Sequence, residues 1–568
     1  MAAARSVLDW LENPAEDNGI RFSGPDGTWD FWSYSRLAAL TRQFAAGLTQ
    51  RGIGNGQRVT LIQSSGPHFV ASFFGAMLAG AVPSPAAPPL VFGDIAAYAD
   101  HVNGLVHTAR SALVVADAQL VDTIREILAD AAAAPPVADF GDVPATEPAD
   151  RTGRTSARDL ALLQFTSGST GRSRGVEVSH GALASNVAAI HRWLRWTPAD
   201  ATASWLPVHH DMGLIGCLVA PVVMGGDLWL LAPGDFLREP ARYLRCFGEF
   251  GARLTAMPNF GLEYVTRRVS PDALTDCDFT AWRAVIIGAE HIDPDSLRRF
   301  HAALAPFGLS RQALLPAYGL AESTLAVTGV PLDEDWTCAI VDPDALAVGS
   351  PLRQVPDGQP IVGCGRPLAG LTVSIVDSDR AELSNGPAEL PEGTVGEIVV
   401  RGSSVADGYA DSRDTRTTTL SAGELRSGDA GFVLDGQLFV LGRLGDSIKI
   451  RGTTVFAEDL EAAMAGLGLR AHRCAVLLGM HRQQPTVVAM LEQELSESAI
   501  DTLVALLRRR TETARIVLVT AARGAIARTS SGKVRRRQLW NAFVTGQLPG
   551  TVLYDTQEPK LATGGRRS

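Results

Sequence analysis

The stretch LLQFTSGSTGRSRGVEVSH, residues 162–180, constrains the architecture of this chain more than any other. Leu160 to Phe165 reads as a short buried strand, and Ser179 is placed to N-cap a helix running through Leu183, Val187 and Ile190. Between them lies a run of Gly, Ser and Thr with Arg172 and Arg174. Small side chains let backbone N–H groups converge, hydroxyls add donors and guanidinium groups add positive charge, which suits a phosphate. Strand, glycine-rich turn and helix together predict an α/β layer carrying a phosphate grip rather than a Gly/Ser spacer.

The same rhythm fills residues 31–135, where FWSYSRLAALTRQFAAGLTQRG is followed by GQRVTLIQSS. At 568 residues the chain is too long for one core. From about residue 360 short strands take over: LTVSIVD, GEIVVRG and GQLFVLGR, the last entered through Asp435-Gly436, a hairpin signal. After Gly442 a strand, a turn and a helix open a second small domain. The expected division is residues 1–442, a hinge at 443–446 and residues 447–568. The expected fold class is α/β: two α/β layers plus a β-rich lobe, followed by a small C-terminal α+β domain.

A net charge of −10 argues against general nucleic-acid binding, but the charge is uneven. Residues 446–568 hold 18 Lys and Arg against 11 Asp and Glu, a local +7 that leaves −17 for residues 1–445. Such a surface could attract an acidic partner, or it could be scattered, solvated Arg. Six Cys without a CxxC suit a reducing compartment and neither a disulfide framework nor a zinc site. MAAARSVLDWLENPAEDNG lacks a signal-peptide core, so a cytoplasmic location is expected. FVASFFGAMLAGAVP, from Phe69, is too short to span a bilayer and reads as a buried helix; no stable membrane insertion is expected.

A P-loop is excluded: Gly171 is followed by Arg172, and Gly532-Lys533 by Val534. Four other stretches, TSGSTGRSRG from Thr166, YGLAEST from Tyr318, RSGDAG from Arg426 and RTSSGKVRR from Arg528, occur in the order found in adenylate-forming enzymes. The chain resembles that superfamily of acyl-CoA synthetases, luciferases and adenylation domains. SWLPVHHDMGLIG from Ser204, MPNFGLEYVTRR from Met257 and CGRPLAG from Cys364 resemble its fatty acyl-AMP ligase branch. Residues 338–368 are similar to the insertion that marks this branch.

The resemblance implies ATP and Mg²⁺ as cofactors, a fatty or related carboxylic acid as substrate and an acyl carrier protein as acceptor. An acyl-CoA synthetase, or a catalytically silent protein of this fold, is the alternative. It also implies roles for single residues. Thr166, Ser167, Gly168, Ser169, Thr170 and Gly171 would hold the β- and γ-phosphates. Arg174 stands where the family usually has Lys, keeping charge but gaining a planar fork. Tyr318, beside Gly319, would stack on adenine opposite Gly288, Ala289 and Glu290. Asp429 would accept from the ribose hydroxyls with Arg443 reinforcing it, and Glu322 would help hold Mg²⁺. Lys533 would be the catalytic cation, bridging carboxylate and α-phosphate as charge builds, on a mobile lid turning about Asp446.

His209-His210-Asp211 has neither helical metal-ligand spacing nor a serine elbow. By resemblance His210 would orient the substrate carboxylate, with His209, Met212, Met257 and Pro258 around the acyl pocket. MGLIGCLVAPVVMGG after the histidines could line the tunnel or be core. The resemblance implies Gly-Gly before Pro258-Asn259-Phe260, where this chain has Ala256-Met257: either the Met side chain shortens the tunnel, or it swings aside or fills an unrelated gap.

Overall fold

The computed structural model describes residues 6–24, 26–89, 95–129, 134–144, 155–166, 174–377, 389–411, 418–421, 423–450, 453–511, 513–529 and 532–557. Two parallel sheets carry the large N-terminal part. In the first, the strands run Val82–Pro85, Arg58–Ile62, Ser111–Ala116 and Val137–Asp139, all parallel. The helix Pro67–Leu78 crosses between two of them with proline in its first turn, and it is buried from Phe69 onward. Phe69, Phe73 and Phe74 each contribute roughly 1.5–3 kcal/mol by leaving water. The apolar run from Phe69 is therefore a core helix as far as Leu78, while its last residues, Val82 and Pro83, begin the next strand.

The second sheet has nine strands. Its centre is parallel, in the order Leu314–Gly319, Ala284–Ile287, Leu254–Met257, Thr202–Ser204, Leu228–Leu230 and Gly19–Ser23. Antiparallel strands close both edges: Ala326–Gly329 and Arg366–Pro367 on one side, Trp29–Ser33 on the other. One large hydrophobic core joins the layers. Chain segments emerging from the carboxyl ends of parallel strands define the crevice where open α/β sheets bind ligands. Pro258, Gly288 and Gly319 stand at such ends.

The strand–turn–helix expectation needs one correction. Leu160–Thr166 is a strand and Ser179 caps the helix His180–Trp193, its hydroxyl accepting from the N–H of Ala182. Between them, however, Arg174–Ser179 is a second strand, paired antiparallel with the first. Alternation of Val176 and Val178 with Glu177 favours extended backbone, so the glycine-rich loop joins two strands and does not open the helix.

The β-rich lobe is an antiparallel sheet of Leu371–Val376, Gly396–Gly402, Glu424–Leu434, Thr419–Ser421 and Gln437–Arg443. Asp435 and Gly436, both at positive φ (52° and 71°), make its hairpin turn. The insertion-like segment is a hairpin of Cys338–Val341 and Gln359–Val362, packed on this lobe through Ala339, Val341 and Ile361. Beyond it, Cys474–His481, Gln484–Leu491, Arg515–Thr520 and Thr551–Asp555 form a mixed sheet. With the helices Ala457–Gly466 and Glu497–Thr511 it encloses a core of its own. Among the described residues no helix is long and apolar enough to cross a membrane.

Candidate active site

Three side chains meet at the junction of the nine-stranded sheet and the β-rich lobe. The phenol of Tyr318 donates to Oδ2 of Asp429 at 2.6 Å. Nε of Arg443 lies 3.0 Å from Oδ1 of the same carboxylate. Asp429 and Arg443 face each other as register partners on neighbouring strands, which explains their pairing. Burial and the adjacent carboxylate push the Tyr318 phenol well above its ordinary range, so it remains a donor. Gly319 follows; a Cβ there would fall 2.0 Å from the Leu325 carbonyl oxygen, so only glycine fits.

Glu322 occupies a short turn, Ala321–Ser323, and is buried. Its Oε1 accepts from the Tyr409 hydroxyl at 2.9 Å. The Arg174 guanidinium lies over the Tyr409 ring, 3.4 Å from its centre. Asn186, fully buried on the helix His180–Trp193, donates to the carbonyls of Ser323 and Ala326 and to Ser404 Oγ. It anchors a turn that includes Thr324 in a strained positive-φ conformation (67°). Neither Asn186 nor Tyr409 stands out in the sequence, because each acts on a partner far along the chain.

Gly288, Ala289 and Glu290 follow the strand Ala284–Ile287, with Ala289 at φ 69°. Glu290 Oε1 accepts from the Phe260 N–H at 2.5 Å. Desolvation of the carboxyl, with the nearby charge of Glu263, raises its pKa, an effect the Phe260 N–H and the charges of Lys533 and Arg528 oppose. Lys533, in the C-terminal part of the chain, is near enough for its charge to act on the Glu290 carboxyl. Lys533 itself is exposed, in a tight loop where its N–H donates to Thr529 Oγ1 and its carbonyl accepts from the Thr529 N–H.

Of the predicted phosphate loop, Thr166 and Arg174 are described and are register partners at its base. Ser167, Gly168, Ser169, Thr170 and Gly171 lie outside the described residues. Thr166 lines a pocket with His209, His210, His101 and Arg535. His101 and Arg535 were not singled out from the sequence. The His209 and His210 rings are 4.6 Å apart, and the His209 carbonyl accepts from buried Gln164 at 3.0 Å. Burial first, then its histidine neighbours, hold His209 well below its ordinary pKa; burial and Arg535 bring His101 to about 4. These rings are neutral at pH 7. Among the described residues no group of His, Cys, Asp and Glu forms a metal-binding cluster.

Met212 opens a π-helical segment, Met212–Val219, whose following residues are largely core. Met257 is fully buried at the end of its strand. Its Cβ and Sδ approach within 3.2 Å of the position a side chain at Gly261 would take, with the Trp205 ring beside them at 3.1 Å. Pro258 precedes the helix Asn259–Arg268. Asp446, in the turn Leu444–Asp446, pairs with Arg536 at 3.4 Å. Arg536 also contacts Glu458 (2.9 Å) and Glu461 (2.8 Å). Gln359 of the insertion hairpin donates to Asp459 at 2.5 Å and accepts from Arg510 at 3.2 Å, joining that hairpin to the C-terminal domain.

Residues 12–410 match the family model described as AMP-binding enzyme. The chain belongs to this family. As an AMP-binding enzyme it is an adenylate-forming ligase, and its relatives extend over nearly its whole length. It is 31% identical to a 4-hydroxyphenylalkanoate adenylyltransferase of Mycobacterium marinum, over 90% of this chain and 86% of that one. It is 28% identical to a medium-chain-fatty-acid–[acyl-carrier-protein] ligase of Moorena producens, over 91% of this chain and 90% of that one. In three dimensions this AMP-binding enzyme is similar to a solved structure from work on fatty acyl-adenylate ligases of E. coli and L. pneumophila. That match has a TM-score of 0.86 and 27% identity, covering 95% of this chain and 98% of the other.

Proposed function

We propose that this AMP-binding enzyme condenses ATP with a fatty or related carboxylic acid to give acyl-AMP and pyrophosphate, then passes the acyl group to the phosphopantetheine thiol of an acyl carrier protein. The observation that carries the reading is the meeting of Tyr318, Asp429 and Arg443 at the carboxyl end of the nine-stranded sheet, where the Gly288–Glu290 segment also emerges and where the charge of Lys533 acts on Glu290. Tyr318 and Gly288 offer faces to adenine, and Asp429 offers its remaining lone pairs to the ribose hydroxyls. Asp429 Oδ1 and Oδ2 are already held by Arg443 and Tyr318, so the carboxylate is fixed before nucleotide arrives, which lowers the ordering cost of binding.

In the first step the substrate carboxylate attacks the α-phosphorus and pyrophosphate leaves. Lys533, carried in on its loop, would stabilise the charge shared between the two anions. His210, with a neutral His209 beside it, would orient the carboxylate without adding a competing cation. Thr166 and Arg174 stand at the base of the loop proposed to hold the departing phosphates. The donor set at Glu322 fits Mg²⁺: a buried carboxylate with Oε1 engaged by Tyr409 and Oε2 left as a hard oxygen ligand. Bound there, the ion would neutralise phosphate charge. Residues 1–442, the hinge 443–446 and a lid of 447–568 are the proposed functional units, with Asp446 as the pivot.

A carrier protein is favoured over coenzyme A by the +7 of residues 446–568 and by the acceptor named for the Moorena relative. Acidic carriers would be drawn to such a surface, and that attraction is screened beyond about 8–10 Å at physiological ionic strength. The deciding experiment measures pyrophosphate release over a panel of carboxylic acids, then acyl transfer to carrier protein or coenzyme A at rising salt. Carrier loading that weakens with salt, with little acyl-CoA formed, supports the reading. Acyl-CoA formation as efficient as carrier loading makes the protein an acyl-CoA synthetase.

A further inference from the structure

The segment Ala406–Ala410 is stitched between the two parts of the site that handle phosphate. On one side Asp407 N–H donates to the Glu177 carbonyl and Ala410 N–H to the Gly175 carbonyl, so Gly408 and Tyr409 pair with the strand that leaves the glycine-rich loop. On the other side Ala406 N–H donates to the carbonyl of Glu322 at 2.9 Å. Tyr409 repeats this bridge with its side chain. Its hydroxyl holds the Glu322 carboxylate, and its ring carries the Arg174 guanidinium.

We infer that Tyr409 is a positioning residue that couples the phosphate-loop cation Arg174 to the carboxylate of Glu322. The inference rests on the proposed reading of Glu322 as the carboxylate that holds Mg²⁺. A phenol donating to one carboxylate oxygen fixes the rotation of the group and so aims the other oxygen. A planar guanidinium stacks flat on an aromatic ring and leaves its N–H edge free to bond phosphate oxygens, which a compact ammonium does not do as well. This accounts for arginine at position 174: ring, guanidinium and carboxylate form one connected unit. Phosphate drawn to Arg174 and metal drawn to Glu322 then act on the same ring, so each stabilises the geometry the other needs. Burial and Glu322 also keep the Tyr409 hydroxyl protonated, and therefore donating, at all physiological pH.

The test uses the full-length protein and Mn²⁺, titrated by electron paramagnetic resonance in the presence of α,β-methylene-ATP, so that no turnover contributes. Tyr409→Phe, which keeps the ring and removes only the hydroxyl, should weaken Mn²⁺ binding about tenfold, the scale of a lost hydrogen bond to a charged group. Arg174→Lys should weaken it about threefold, on the scale of a stacked cation. Metal-free AMP affinity should stay unchanged in Tyr409→Phe. Glu322→Gln serves as the reference and should weaken Mn²⁺ more than either. Undiminished Mn²⁺ affinity in Glu322→Gln removes the metal reading and the coupling with it. A loss in Glu322→Gln with none in Tyr409→Phe overturns the role of Tyr409 alone. Loss of AMP affinity in Tyr409→Phe would show a merely structural part and overturns it equally.

Discussion

Tyr318 and Asp429, 111 residues apart in sequence, are joined by a hydrogen bond of 2.6 Å that ties the nine-stranded sheet to the β-rich lobe. The bond makes the proposed ribose carboxylate part of a rigid surface. Removing its charge should therefore cost nucleotide affinity directly. Asp429→Asn is expected to weaken AMP binding about tenfold or more, since hydrogen bonds to charged groups are worth about 1.5–3 kcal/mol and Arg443 would lose its partner. Tyr318→Phe should have a smaller effect. Calorimetric titration with AMP checks both, and an unchanged affinity in Asp429→Asn would place the ribose elsewhere.

Lys533 lies exposed on a loop and is proposed to enter the crevice from there. Lys533→Ala should slow acyl-adenylate formation by about a hundredfold or more, the scale of one preorganised transition-state donor. Transfer from premade acyl-AMP should suffer much less, because the proposed rotation about Asp446 removes Lys533 from the site before that step. Separate rate measurements on the two half-reactions decide the matter; equal losses would refute the assignment.

Met257, with no exposed surface, crowds the space beside Gly261 together with the Trp205 ring. If it closes the acyl tunnel, Met257→Gly should shift the optimum of pyrophosphate release toward longer acids by several carbons. Each added methylene that gains a buried place contributes about 0.8 kcal/mol. A profile unchanged by the substitution, or a native enzyme already best with long chains, would make Met257 an ordinary core residue.

Asp459 is buried where the insertion hairpin meets the C-terminal domain, and burial raises its pKa to about 7, against the opposing effects of Gln359 and Arg510. An acid whose folded pKa exceeds its unfolded value stabilises fully below the unfolded value and loses that stability as pH rises through the folded one. Between about pH 4 and pH 7 this group should lower stability by up to about 1.4 kcal/mol per pH unit. Asp459→Asn lacks this dependence, so thermal unfolding midpoints of variant and native protein should diverge in the variant's favour as pH rises from 5 to 8. Parallel midpoints over that range would mean that Asp459 is already ionised in the folded protein.

Local chemistry was enough to read several elements from the sequence. The helix read from Phe69, the Ser179 cap and the Asp435-Gly436 turn depend on neighbours a few residues away, and the ordered motifs around Thr166, Tyr318, Arg426 and Arg528 carried the family. What only the tertiary structure decided involves residues that meet across long separations. The strand Arg174–Ser179 carries a local alternation of Val176 and Val178 with Glu177, but its pairing with Leu160–Thr166 and Gly408–Tyr409 is set by partners that alternation does not name. Asn186 reads as one more polar residue on a helix until the Ser323, Ala326 and Ser404 groups it satisfies are seen around it. The same holds for His101 and Arg535 beside His209 and His210, for Tyr409 under Arg174, and for Arg536 among Asp446, Glu458 and Glu461. Residue type states which bonds a side chain can make; only the packed chain supplies the partner, because a buried polar group costs free energy until a particular neighbour satisfies it.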